Sequence, residues 1–181
     1  MKLSGKTIAV LVEQDYQDME VWYPTFRLRE EGAKVLHVGT GSAHEYKGKY
    51  GYPLKVDTTA DQIVLTNLDG LVIPGGWAPD KLRMSEPVLK LVREMNARRS
   101  PIGCICHGGW VLASAGVAKG KHLTSYAAIK DDLIHAGARW EDAEVVVDGN
   151  LVTSRKPDDL PAFMREFVKL FVHQLEPAGS R

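Results

Sequence analysis

The chain has 181 residues, 44% hydrophobic and 25% charged, the composition of one ordinary globular domain; disorder and collagen-like structure are excluded as its main state. Lys plus Arg and Asp plus Glu each number 23, so the formal net charge is zero, which excludes the basic footprint of a nucleic-acid binder and a single-sign field for an anionic membrane. Two cysteines, Cys104 and Cys106, are too few for a disulfide scaffold and point to a reducing compartment. The opening Met-Lys-Leu-Ser-Gly-Lys has no apolar signal core and no apolar run reaches bilayer-spanning length, so the expected location is cytoplasmic.

In chain order, Thr7 to Val12 is a short β-branched apolar run, as a strand buried on both faces requires. Asp18 to Glu31 has helical periodicity and stops at Gly32; Lys34 to Val38 is a second strand. Tyr46 to Asp57 reads as extended, with Gly48 and Gly51 at its turns. Leu71 to Ile73 is a strand that ends in Pro74-Gly75-Gly76. Pro87 to Ala97 is helical, with Val88, Leu91, Val92 and Met95 on one face. Ile102 to Ile105 is a strand ending at Cys106, followed by a short helix from Gly109 to Ala115. Leu123 to Ser125 is a candidate strand, and Lys130 to Ala136 a helix closed by Gly137. Glu144 to Val147 and Leu151 to Ser154 flank Asp148-Gly149-Asn150, a hairpin signal. Asp159 is the expected cap of a last helix that carries Pro161 in its first turn and runs to about Leu175, before a frayed Pro-Ala-Gly-Ser-Arg tail. The alternation predicts an α/β fold, a mainly parallel sheet with helices on both faces, in one domain.

Sites in such sheets lie beyond the carboxyl ends of the strands. Cys106 sits there between a strand and a helix, with His107, Gly108 and Gly109 behind it, the thiol counterpart of a nucleophile elbow. A helix N-terminus there would favour thiolate, and a protonated His107 would add to it. The competing reading is a buried core cysteine beside a hydrogen-bonded histidine. Gly75 and Gly76 end the neighbouring strand and could offer oxyanion donors, against the plainer reading of a turn. Glu20 opens the first helix four residues before Pro24, whose missing amide leaves the Glu20 carbonyl free of its helical partner. A carboxyl beside a thiolate would have a raised pKa and could donate to sulfur. Cys104-x-Cys106 is a poor metal motif, no metal site is expected, and no nucleotide-binding glycine motif is present. Trp22, Trp77, Trp110 and Trp140 read first as packing residues.

Glu20 with Pro24, the run Pro74-Gly75-Gly76-x-Ala78-Pro79-Asp80-x-Leu82-Arg83, Cys106-His107-Gly108, Thr124-Ser125-Tyr126 with Lys130-Asp131-Asp132, and Glu144 to Asn150 with Thr153-Ser154-Arg155 resemble the PfpI-type intracellular proteases. These belong to the superfamily of the parkinsonism-associated deglycase, related to class I glutamine amidotransferases. The match runs from about Lys6 to Phe171, and 1–181 is read as a single domain of that type. The resemblance implies a flavodoxin-like three-layer sandwich. It makes Cys106 the nucleophile, His107 its partner and Glu20 the carboxyl on the sulfur. Asp80 stands at the place of an acidic third member that reaches the histidine from a neighbouring subunit, in a homodimer or hexamer. Gly75 and Gly76 fall at the oxyanion position and Tyr126 lines the site. Gly109-Trp110 replaces the proline that often follows Cys-His-Gly, which alters the pocket wall.

The implied activity is cofactor-independent: thiolate attack on the carbonyl carbon of a small α-oxoaldehyde or a glycated group, of the glyoxalase or deglycase type, in a stress-response enzyme. The other expectations are a cysteine peptidase of the same architecture, and a thiol redox sensor or chaperone.

Overall fold

The computed structural model describes residues 1–173; the expected helix end near Leu175 and the tail beyond it lie outside the described residues. The chain starts with β1 (Thr7–Leu11), α1 (Asp18–Glu30) and β2 (Lys34–Gly39). A small antiparallel hairpin of β3 (Glu45–Lys47) and β4 (Pro53–Lys55) follows, then the two-residue β5 (Thr58–Thr59). Next come β6 (Gly70–Ile73), α2 (Ala78–Leu82), α3 (Glu86–Ala97), β7 (Ile102–Ile105) and α4 (Gly109–Ser114). The chain continues through β8 (His122–Leu123), α5 (Lys130–His135), β9 (Arg139–Trp140), β10 (Val145–Asp148), β11 (Leu151–Ser154) and α6 (Leu160–His173).

Seven strands form the central sheet in the order β10-β11-β7-β6-β1-β2-β5. Every pairing in it is parallel except β10 with β11, the hairpin across Asp148-Gly149-Asn150. Helices α1 and α6 lie together on one side, and α3, α4 and α5 belong to the other layer. This is the flavodoxin-like three-layer sandwich. Strands β6, β7 and β11 are buried at every position, which is why they read as unbroken apolar runs rather than alternating ones.

From β1 the chain winds outward to β2, then returns to the other side of β1 as β6. That reversal opens a crevice above the carboxyl ends of β1 and β6, the place where open α/β sheets bind ligands. Helix α6 anchors the opposite side of this frame. Its Phe163, Phe167 and Phe171 are buried and touch in succession, the first pair stacked and the second edge-on, with centroids 6.3 and 5.4 Å apart.

Three local readings are corrected. Asp159 does not cap α6: it ends a 3₁₀ turn, Pro157–Asp159, and its carboxylate accepts from the Arg155 backbone N–H at 3.1 Å and from the guanidinium at 2.9 and 3.1 Å. The bidentate charge-assisted pair outcompetes neutral backbone amides for the same oxygens. The strand expected at Leu123 to Ser125 is only His122–Leu123, and it pairs with β9 outside the main sheet. Helix α2 and strand β9 were not anticipated, being five and two residues long. Among the described residues, no helix is long and apolar enough to cross a membrane.

The buried α6 phenyl groups set a stability prediction. Phe167 has no exposed surface, so Phe167→Ala leaves a cavity and should lower the unfolding free energy by about 3–5 kcal/mol, read as a reduced urea midpoint at unchanged m-value.

Candidate active site

Three strand-end loops meet above β1, β6 and β7. The loop after β1 is stitched to its neighbours by backbone bonds: Asp15 N–H to Lys47 O at 2.8 Å, Trp77 N–H to Asp15 O at 2.9 Å, and Gln17 N–H to Gly75 O at 3.1 Å. Tyr16 bridges to Gly48 on one side and to Gly76 on the other. Gly76 has φ +80°, and a Cβ there would lie 2.4 Å from the Gln17 nitrogen. Only glycine allows this turn to close against the β1 loop.

The loop after β7 is the elbow. Ile105 is extended (φ −131°, ψ 149°) and Cys106 turns to φ 60°, the left-handed region that a residue with a side chain rarely occupies. That turn lifts the sulfur above the sheet before α4 begins at Gly109. Cys106 is 7% exposed. Its Sγ lies 3.3 Å from Nδ1 of His107, and the backbone N–H groups of Gly76 and His107 act on it as donors.

Glu20 comes from the first turn of α1, which runs unbroken through Pro24. It has no exposed surface. Its Oε2 accepts the Gly75 N–H at 2.7 Å, while among the described residues Oε1 has no hydrogen-bond partner. A Cβ on Gly75 would sit 2.7 Å from the Cys106 Cβ and 2.8 Å from Glu20 Oε2, so this amide reaches the carboxyl only because residue 75 is glycine. Burial pushes the Glu20 carboxyl up to about 7, against the Gly75 amide, the Cys106 side chain and the charge of Lys49, which all favour the carboxylate. Near neutral pH the site therefore holds Glu20 partly protonated. In that form the carboxyl can donate a hydrogen bond.

Cys106 is pushed up to about 12, by burial first and then by the Glu20 charge, with the two amides pulling the other way. This reverses the expectation of a thiolate favoured by its helix. Helix α4 is short and starts three residues later, and burial outweighs it. A proton on Glu20 removes the second cause of the rise. The carboxyl and the thiol are thus coupled, and the ionisation of one decides the ease of the other.

His107 is held towards the neutral form, by burial and then by Lys49. Trp77, Trp110 and Tyr126 surround its ring. Tyr126 also donates its backbone N–H to the Cys106 carbonyl at 3.3 Å, so it belongs to the elbow as well as to the wall. Asp80 is exposed in the first turn of α2, and among the described residues no carboxylate hydrogen-bonds His107. The structure thus brings together Glu20, Gly75, Gly76, Cys106, His107 and Tyr126 within one chain, and among the described residues no hydrogen bond or ion pair joins Asp80 to His107. It also divides the glycine pair: the Gly75 amide is committed to Glu20, and it is the Gly76 and His107 amides that face the sulfur. Sequence reasoning missed Lys49 and Trp77 as site residues. Lys49 carries no local signal, since its place follows from its backbone bond to Tyr16. Among the described residues no cluster of three or more His, Cys, Asp or Glu side chains could hold a metal ion.

A sequence profile described as the DJ-1/PfpI family matches residues 6–170. The chain is 47% identical to Deglycase PfpI of Pyrococcus furiosus over 163 residues, 90% of this chain and 98% of that protein. It is 39% identical to Protein/nucleic acid deglycase 2 of Escherichia coli over 168 residues, 92% of this chain and 98% of that one. The crystal structure of Drosophila melanogaster DJ-1beta superposes with a TM-score of 0.83 at 30% identity, covering 94% of this chain and 97% of the other.

The buried carboxyl gives a signed pH prediction. Because the folded-state pKa of Glu20 lies above its unfolded value, the native state binds the extra proton between about pH 4.5 and 7, and stability falls as pH rises through that window. Glu20→Gln should flatten this fall, worth about 3 kcal/mol at full extent, in denaturant midpoints measured from pH 4.5 to 7.5.

Proposed function

The chain belongs to the DJ-1/PfpI family, and from that footing we propose that it is a cofactor-independent thiol enzyme for small α-oxoaldehydes and their adducts with amines. The observation that carries this reading is the elbow sulfur at 3.3 Å from a neutral imidazole, beside a buried carboxyl whose pKa is about 7. A base poised near neutral pH next to a nucleophile is what proton-coupled attack on a carbonyl needs.

The Cys106 sulfur bonds to the aldehyde carbon while its proton passes to the Glu20 carboxylate. The resulting hemithioacetal oxygen faces the Gly76 and His107 amides. Base-mediated transfer moves the proton from that carbon to the neighbouring keto carbon. The first carbon is thereby oxidised to a thioester and the second reduced to an alcohol. Water hydrolyses the thioester, releasing an α-hydroxy acid and the thiol. For methylglyoxal the sum is methylglyoxal plus water to lactic acid. For a hemiaminal adduct the same attack expels the amine, which takes its proton from the site. The naming of relatives as deglycases supports the second entry route.

Asp80 is assigned to act across a subunit interface. It is exposed, it makes no bond to its own His107, and an orienting acceptor for that histidine is otherwise missing among the described residues. The working unit is then a homodimer or a hexamer. Two free cysteines, one of them fully buried, suit a reducing cytoplasm.

Purified protein with methylglyoxal, without glutathione or added metal, should yield many equivalents of lactate. Cys106→Ala should abolish it, and Glu20→Gln should lower kcat by roughly 10²–10⁴-fold. Asp80→Ala should lose activity, and mixing Asp80→Ala with Cys106→Ala subunits should restore part of it, because each supplies what the other lacks. Full activity of Asp80→Ala would remove the trans assignment. Cleavage of an unfolded protein substrate with no lactate formed would replace this reading with the peptidase one.

A further inference from the structure

Three aromatic rings gather around His107. The Trp77 centroid lies 5.5 Å from the imidazole at 49°, Trp110 at 5.2 Å and 65°, and Tyr126 at 4.9 Å and 28°. Among the described residues, no ring contact joins Trp77, Trp110 and Tyr126 to one another, although all three meet the same histidine. The core rings Phe163, Phe167 and Phe171, by contrast, touch one another in succession. The three rings here instead each meet one imidazole.

One wall is fixed and two face solvent. Trp110 donates its indole N–H to Asp132 at 2.7 Å, and the Arg83 guanidinium lies 5.5 Å from its ring while donating to Ser114 at 2.9 Å. Trp77 is 57% exposed and Tyr126 42%. Large apolar rings left in water beside a nucleophile are surface a ligand can cover with gain. The reacting sulfur is 3.3 Å from the imidazole they surround, so a group seated among them is adjacent to the carbonyl under attack.

An aromatic collar can also hold a cation. Charge decides against that here. The Arg83 guanidinium already lies over Trp110, and the positive charge of Lys49 acts on both His107 and Glu20. A neutral aryl group carried by a molecule that leaves as an anion fits both the rings and the charges.

We infer that Trp77, Trp110 and Tyr126 form a subsite for an aryl group next to the reacting carbonyl, so that aryl α-oxoaldehydes are better substrates of this site than methylglyoxal. The inference rests on the thiol–carbonyl chemistry proposed above. For an aryl glyoxal the balance is unchanged: the aldehyde carbon is oxidised, the keto carbon reduced, water is added, and phenylglyoxal gives mandelate.

Two measurements test it, one catalytic and one not. The ratio of kcat/KM for phenylglyoxal to that for methylglyoxal, read as mandelate and lactate formed, should exceed roughly tenfold. It should fall by about that factor in Trp77→Ala, mainly through KM, and return in Trp77→Phe. A ratio unmoved by Trp77→Ala and by Tyr126→Ala overturns the subsite. Calorimetry on Cys106→Ala needs no turnover: mandelate should bind roughly tenfold tighter than lactate, with the difference lost in the Cys106→Ala, Trp77→Ala double variant. If neither glyoxal is turned over but mandelate still binds selectively, the reaction is wrong and the subsite stands. Equal binding of both acids overturns the subsite. So does tighter binding of benzylammonium than of mandelate. A change of oligomer size in Trp77→Ala by light scattering, with no selectivity for mandelate, would make the rings a subunit contact and overturn it too.

Discussion

The site depends on one buried carboxyl. Glu20 has no exposed surface, and the Gly75 amide and the Cys106 side chain are the hydrogen-bonding groups that act on it. A carboxylate there is costly, so the group spends much of its time near neutral pH as the acid. Everything around it follows from accommodating that group. The turn after β6 must bring an amide to it, which requires glycine. The elbow after β7 must place its sulfur beside it, which forces Cys106 into a left-handed conformation. Among the described residues Oε1 is buried without a hydrogen-bond partner, which adds to the cost of the carboxylate.

Burial shifts all three titratable groups in the directions that keep them neutral. It raises the Glu20 carboxyl and the Cys106 thiol and lowers the His107 imidazole. A resting site of neutral groups is cheap to fold around, and its chemistry begins only when a proton moves. The donors that would take up the resulting charge are already in place as backbone amides of Gly76 and His107, and they cost no side-chain entropy to orient. Lys49, held by its backbone bond to Tyr16, adds a positive charge at the edge and favours the carboxylate over the acid at Glu20.

Much of this was legible in the residues. Buried strands β1, β6, β7 and β11 show as β-branched or apolar runs because a parallel sheet covers both their faces. Helix α3 shows because its four buried positions fall on one stripe. Helix α2 and strands β8 and β9 were hidden, since elements of five and two residues carry too little periodicity to register. Asp159 misled because its position suits a cap, whereas Arg155 four residues earlier makes the stronger bond. The thiol misled for a similar reason: a helix N-terminus is visible in sequence and favours thiolate, but the depth of burial that opposes it is not.

Residue order by itself determined the α/β class, the strand ends at which chemistry would lie, and the identities of Cys106, His107, Glu20, Gly75 and Gly76 as candidates, whereas Tyr126 entered only through the family resemblance. Those follow from local rules: apolar runs, turns that need glycine, and a nucleophile set between strand and helix. The tertiary structure alone decided which amide serves which group, which direction each pKa moves, and that Trp77, Trp110 and Tyr126 gather around one imidazole. It also decided that, among the described residues, no hydrogen bond joins Asp80 to the His107 of its own chain. Each of these depends on distances between segments that the sheet order brings together, and on exclusion of water from the space between them. Such distances are set by packing across strands that are remote in the chain, and no local pattern encodes them.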